Sequence, residues 1–83
     1  MLITILETKD INEFLEKRNL IFQYKKVKKF ILGSPNIFRK LKKRKPKNEG
    51  IYQFRINKQY RAFCYFDEIE KNTIIVFDIN DHQ

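Results

Sequence analysis

The chain runs to 83 residues, 42% of them apolar and 14% aromatic, and carries a net charge of +8. That length holds one domain, residues 1–83, around a single core, and no apolar run approaches the roughly 20 residues of a bilayer-spanning helix. One cysteine and one histidine supply neither an internal disulfide nor a zinc site, so no metal or other cofactor is expected, and a reducing, cytoplasmic setting suits the thiol.

Met1 to Leu6 lacks the basic lead and small-residue cleavage site of a signal peptide; Leu2 to Glu7 reads as a strand. Asp10, with Glu13 three residues on, has capping-box spacing and predicts a helix start. On that helix Ile11, Phe14, Leu15 and the stem of Arg18 share one face. A break at Lys17-Arg18-Asn19 precedes a second helix. There Leu20, Tyr24, Val27 and Ile31 recur with helical period, and Lys25, Lys26 and Lys29 take the far side. Gly33-Ser34-Pro35 ends it, as a C-terminal glycine does. Asn36 to Leu41 can be extended, anchored by Ile37 and Leu41, and Lys42 to Gly50 reads as a charged loop.

Beyond Gly50 the period changes to two. Tyr52, Phe54 and Ile56 suit a core face and leave Gln53 and Arg55 on the other. Asn57-Lys58-Gln59 turns the chain into Tyr60–Phe66, which is apolar on both faces and therefore expected at the sheet's centre, with Arg61 as its polar exception. Asp67 to Asn72 is an acidic turn and Thr73–Ile79 the last strand. The sum is an α+β fold: an N-terminal strand, a helical hairpin, then an antiparallel β-meander forming one sheet with the helices on one face.

The charge is unevenly spread. From Lys17 to Lys47 there are thirteen Lys or Arg and no acid; apart from Glu49, the acids lie at Glu7 to Glu16 and Asp67 to Asp81. A polyanion, most naturally nucleic acid, is the partner such asymmetry suggests. Compositional drift is the alternative, since Lys outnumbers Arg thirteen to five and Ile, Asn and Phe are abundant.

The string Tyr52-Gln53-Phe54-Arg55-Ile56-Asn57-Lys58-Gln59-Tyr60-Arg61, followed by a strand that ends Asp81-His82, resembles the RelE/ParE toxin superfamily, above all its HigB (killer protein) and YoeB branches. These commonly carry Ser-Ile-Arg-(Val/Ile)-Asn-x-Gln-(Trp/Tyr)-Arg here and close the last strand with Asp-Tyr-His. The resemblance spans the chain in length and element order, and it implies a RelE-like fold. It further implies a type II toxin that cuts mRNA in the ribosomal A site without a metal and is silenced by a cognate antitoxin. By that resemblance Arg61 faces the scissile phosphate, His82 is a proton donor or acceptor, and Lys45 is a further catalytic cation. Arg55, Asp81, Lys42, Lys43 and Lys47 are the further expected substrate contacts, read from their own charge and position rather than from the resemblance. The sequence departs from the pattern twice, with Asp81 where relatives have an aromatic and Lys42 where they place a histidine or an acid.

The chemistry of these residue types agrees with that implication. RNA is cleaved by its own 2′-oxygen once that hydroxyl loses a proton, the phosphorane charge is stabilised and the leaving 5′-oxygen gains a proton. Imidazole serves either proton step, Asp81 beside it favours the imidazolium, and a guanidinium on a rigid strand offers paired donors to phosphate oxygens. Other readings stay open. Arg55 can pair with an acid across the sheet, a histidine at a chain end can be idle, and Lys42 to Lys47 can be a solvated loop. Cys64 reads as core, and Tyr60 and Tyr65 as packing. A ParE-like toxin that inhibits DNA gyrase without cutting, or an inactive relative keeping only the scaffold, fits the same residues.

Overall fold

The computed structural model describes residues 3–34, 41–43 and 50–81, with Lys42 and Lys43 described by their backbone alone. The elements are β1 (Thr4–Glu7), α1 (Lys9–Lys17), α2 (Ile21–Leu32), β2 (Lys42–Lys43), β3 (Ile51–Arg55), β4 (Tyr60–Phe66) and β5 (Thr73–Asp81). The α+β class read from the sequence is the class that forms. The sheet is mixed, in the order β1-β5-β4-β3-β2. β1 runs parallel to β5, and every other pairing is antiparallel. β4 is central, as its two apolar faces require.

Local chemistry explains the two helices. Thr8 still donates its N–H to Val76 O at 3.1 Å, prolonging the β1 ladder, and the chain is helical from the next residue. Thr8 therefore takes the N-cap position expected of Asp10, which falls in the first turn, where its charge complements the helix dipole. The break after α1 is a Schellman motif. Asn19 adopts φ 58°, Leu20 N–H donates to Leu15 O at 2.9 Å and Asn19 N–H to Glu16 O at 3.3 Å. Leu15 and Leu20, the apolar pair that accompanies such a motif, are both buried. Asparagine tolerates this left-handed backbone better than most residues. Gly33 does end α2, but at φ −84°, so its freedom to adopt positive φ is not used.

Both helices cover one face of the sheet. Ile11, Leu15, Tyr24 and Ile31 meet Phe54, Ala62, Cys64, Ile74, Val76 and Ile79 in one cluster with no buried polar or charged side chain among the described residues. Leu41 joins this core, while residues 36–40 of the segment expected to be extended lie outside the described residues. Lys42 and Lys43, expected in a loop, instead form β2, registered against Gln53 and Tyr52. A two-residue edge strand leaves no room for an apolar alternation, so no strand pattern shows in the sequence.

A β-bulge in β5 decides which side chains face outward. Cys64 pairs with Val76 but Phe63 pairs with Asp78, so Phe77 is the extra residue. Strict alternation from Ile74 would turn Asp78 and Asn80 into the core. The extra residue resets the phase, so Ile74, Val76 and Ile79 all stay covered while Asp78 and Asn80 face away. The last strand also continues to Asp81, two residues past its expected end.

Candidate nucleic-acid interface

The β3–β4 hairpin is held by Asn57, whose Oδ1 accepts from Gln59 N–H and Tyr60 N–H, both at 2.8 Å. Its Nδ2 donates to Gln23 Oε1 at 2.8 Å, tying the turn to α2. Ile56 N–H donates to Tyr60 O at 3.0 Å, which makes Arg55 and Arg61, one step further in, a pair of directly opposed residues. They occupy a non-hydrogen-bonded site, the kind in which Cα atoms approach to about 4.5 Å and side chains lie closest. Both project from the face the helices leave bare.

Two like charges in that relation are unfavourable for the isolated sheet, and neither guanidinium forms an ion pair with a described carboxylate; Asp78, on the same face, is engaged by Asn80. Among the described residues the one ion pair is Lys28 with Glu7, at 2.9 Å near the other sheet edge. The cross-strand acid that could have neutralised Arg55 is instead a second arginine. Asn80 stands on the far side of Arg61 in the same row and donates its Nδ2 to Asp78 Oδ2 at 2.7 Å, leaving its carbonyl oxygen outward. Arg55, Arg61 and Asn80 thus make a short polar row with two guanidinium groups outside any ion pair among the described residues. Such a row can take up a phosphate through paired N–H donors.

The remaining expected site residues divide. Lys42 sits in the register row of Gln53, beside the arginine row, and Lys43 in that of Tyr52. Lys45, Lys47 and His82 lie outside the described residues. Asp81 does not share a face with Arg61: its register partner is Tyr60, which packs on the helix side with its ring edge-on to Phe14 at 5.9 Å. Asp81 Oδ2 accepts from Gln59 Nε2 at 3.1 Å. The Asp81 carboxylate is thus engaged in holding the hairpin end to β5.

Of the residues read as packing, Tyr60 and Cys64 are so placed, and burial pushes the Cys64 thiol up to about 12. Tyr65 is different. It is 37% exposed on the bare face and leans on Phe77, ring centroids 5.6 Å apart and planes inclined by 47°. Asn80 and Phe77 are the residues of this face that sequence reasoning passed over. Ile74 to Phe77 is an unbroken apolar run, so the face of each residue is set only by the pairing with β4. No family model matches the chain, and no curated protein matches it significantly. Among the described residues, no helix is long and apolar enough to cross a membrane.

Proposed function

We propose that the chain is a toxin of the RelE/ParE superfamily with a RelE-like fold, a ribosome-dependent mRNA endonuclease that inhibits translation and is held inert by a cognate antitoxin. The observation that carries this reading is the Arg55–Arg61 pair: two opposed guanidinium groups, without an ion-pair partner among the described residues, on the sheet face away from α1 and α2. A polyanion relieves the repulsion that the fold alone leaves standing.

In the reaction, Arg61 binds the non-bridging oxygens of the scissile phosphate and stabilises the charge that builds on them as the 2′-oxygen attacks phosphorus. Such stabilisation is worth roughly 10²–10³ in rate for a single donor. Arg55 holds the same or the neighbouring phosphate. The attacking hydroxyl gives up its proton to the amine of Lys45, whose neighbouring cations favour its neutral form, a 2′,3′-cyclic phosphate forms, and the departing 5′-oxygen takes a proton from His82. Lys42, Lys43 and Lys47 hold the flanking backbone and ribosomal RNA, with an affinity that falls steeply with salt.

Programmed ribosomes carrying a translated mRNA, treated with purified protein, provide the test. The wild type yields discrete cuts in the A-site codon. Arg61→Ala lowers the cleavage rate at least a hundredfold while ribosome binding persists through the remaining cations. Intact mRNA at every codon with the wild type would overturn the enzymatic reading.

One observation favours a second reading. Asp81 stands where the family has an aromatic and is bonded to Gln59 on the helix side, which suits a relative that binds its target without cutting, either a gyrase inhibitor of the ParE kind or an inactive form. Induced expression separates these outcomes: loss of protein synthesis before loss of supercoiling supports the nuclease, the reverse order the gyrase inhibitor. Absence of both with the wild type identifies the inactive form.

A further inference from the structure

On the bare face, β4 presents Arg61, Phe63 and Tyr65 in succession, and about 3.3 Å per residue separates Arg61 from Tyr65 by some 13 Å. Phe63 between them is buried, so on this one strand the arginine row is a separate stretch from the aromatic end. There Tyr65 and Phe77, with Ile51 below and the 88% exposed Ile69 at the rim, line an open hollow whose mouth carries Asp67 and Glu68. Phe77 reaches this hollow because it is the bulged residue of β5. Asp67 Oδ2 already accepts from Ile69 N–H and Glu70 N–H, so its carboxylate is fixed at the rim.

We propose that this hollow is a nucleobase subsite: one unpaired base of a single-stranded RNA, whose backbone lies on Arg55 and Arg61, stacks on Tyr65 and Phe77. The inference rests on the RNA reading above and adds the site that takes a base rather than a phosphate. The charge pattern favours this occupant. Carboxylates at the mouth turn phosphates away, while an uncharged ring with N–H donors on its edge meets apolar walls and an acceptor rim. The cationic row, some 13 Å away along β4, supplies the backbone anchor. A charged groove that tracks phosphates beside aromatic side chains that stack bases is the general physical solution to single-strand binding.

The chain contains no tryptophan, so Tyr65→Trp places a single indole reporter at a partly exposed position. Binding of a short single-stranded RNA is compared with that of the same backbone made abasic throughout. Stacking predicts that the RNA quenches the indole fluorescence of the Tyr65→Trp variant and that the abasic strand does not. It further predicts that Tyr65→Ser weakens RNA binding about tenfold without changing abasic binding, and that Tyr65→Phe restores it. An unquenched indole together with unchanged RNA affinity in Tyr65→Ser overturns the subsite and leaves the phosphate row intact. If Arg55→Ala and Arg61→Ala bind both strands as the wild type does, it is the RNA reading itself that fails.

Discussion

Along the helix-covered face of the sheet Ala62, Cys64 and Val76 are wholly inaccessible and no described polar side chain is buried. Along the bare face the same three central strands carry Arg55, Arg61, Asp78 and Asn80 toward one end and Ile51, Tyr65 and Phe77 toward the other. The covered face obeys the rules of a core: close packing, no charge, one cluster. The bare face breaks the rules of a merely solvated surface, because it opposes like charges and leaves rings in water. A surface that costs the fold something in two separate places is one shaped by what binds it.

The largest expected effect tests whether the two faces differ as claimed. Ile74 is 1% exposed and belongs to the core cluster, so Ile74→Ala should cost about 2–5 kcal/mol in urea unfolding. Tyr65→Ala, on the opposite face, should cost less than half of that. Equal losses would mean that the bare face is a second core, and the hollow beside Tyr65 would lose its claim to be a binding site.

Much of the covered face was legible because it repeats. Tyr52, Phe54 and Ile56 announced their side by alternation, Leu20, Tyr24, Val27 and Ile31 by helical period, and Tyr60–Phe66 its central place by being apolar throughout. What escaped had no period. The Schellman turn at Asn19 depends on one left-handed residue, β2 is too short to alternate, and the bulge at Phe77 is a phase error visible only against its partner strand. For the site, the strand faces of Arg55 and Arg61 could be read, whereas their direct opposition needed the hairpin register. The face of Asp81 likewise needed the register, which pairs it with Tyr60 and carries it to the helix side.

The second effect concerns alkaline pH and belongs to the covered face. Burial raises the Cys64 thiol from 9.0 to about 12, and burial followed by the hydrogen bond to Glu7 raises the Tyr24 phenol further still. An acid whose folded pKa lies above its unfolded value favours folding fully below the unfolded pKa, and that favour is lost as pH rises through the folded one. Stability should therefore fall from about pH 9 toward pH 12. Cys64→Ala should flatten part of the decline, and Tyr24→Phe another part. An undiminished slope in Cys64→Ala would show that the thiol ionises without opening the fold, against its complete burial.

The smallest effect is the most telling about that bare face, because its sign runs against the usual one. Most substitutions destabilise, yet Arg55→Gln removes one of two opposed like charges and keeps a polar side chain at an exposed position. Folding stability at low salt should rise by about 0.2–1 kcal/mol. The gain should shrink as salt screens the pair, since the Debye length contracts to about 3 Å at 1 M. RNA affinity should move the other way and weaken, because a phosphate contact is lost. A gain in stability coupled to a loss of binding is the mark of a charge kept for its ligand. If Arg55→Gln destabilises the protein at every salt concentration, the guanidinium has a supporting contact in the fold, and the repulsion that motivates the whole phosphate row does not exist.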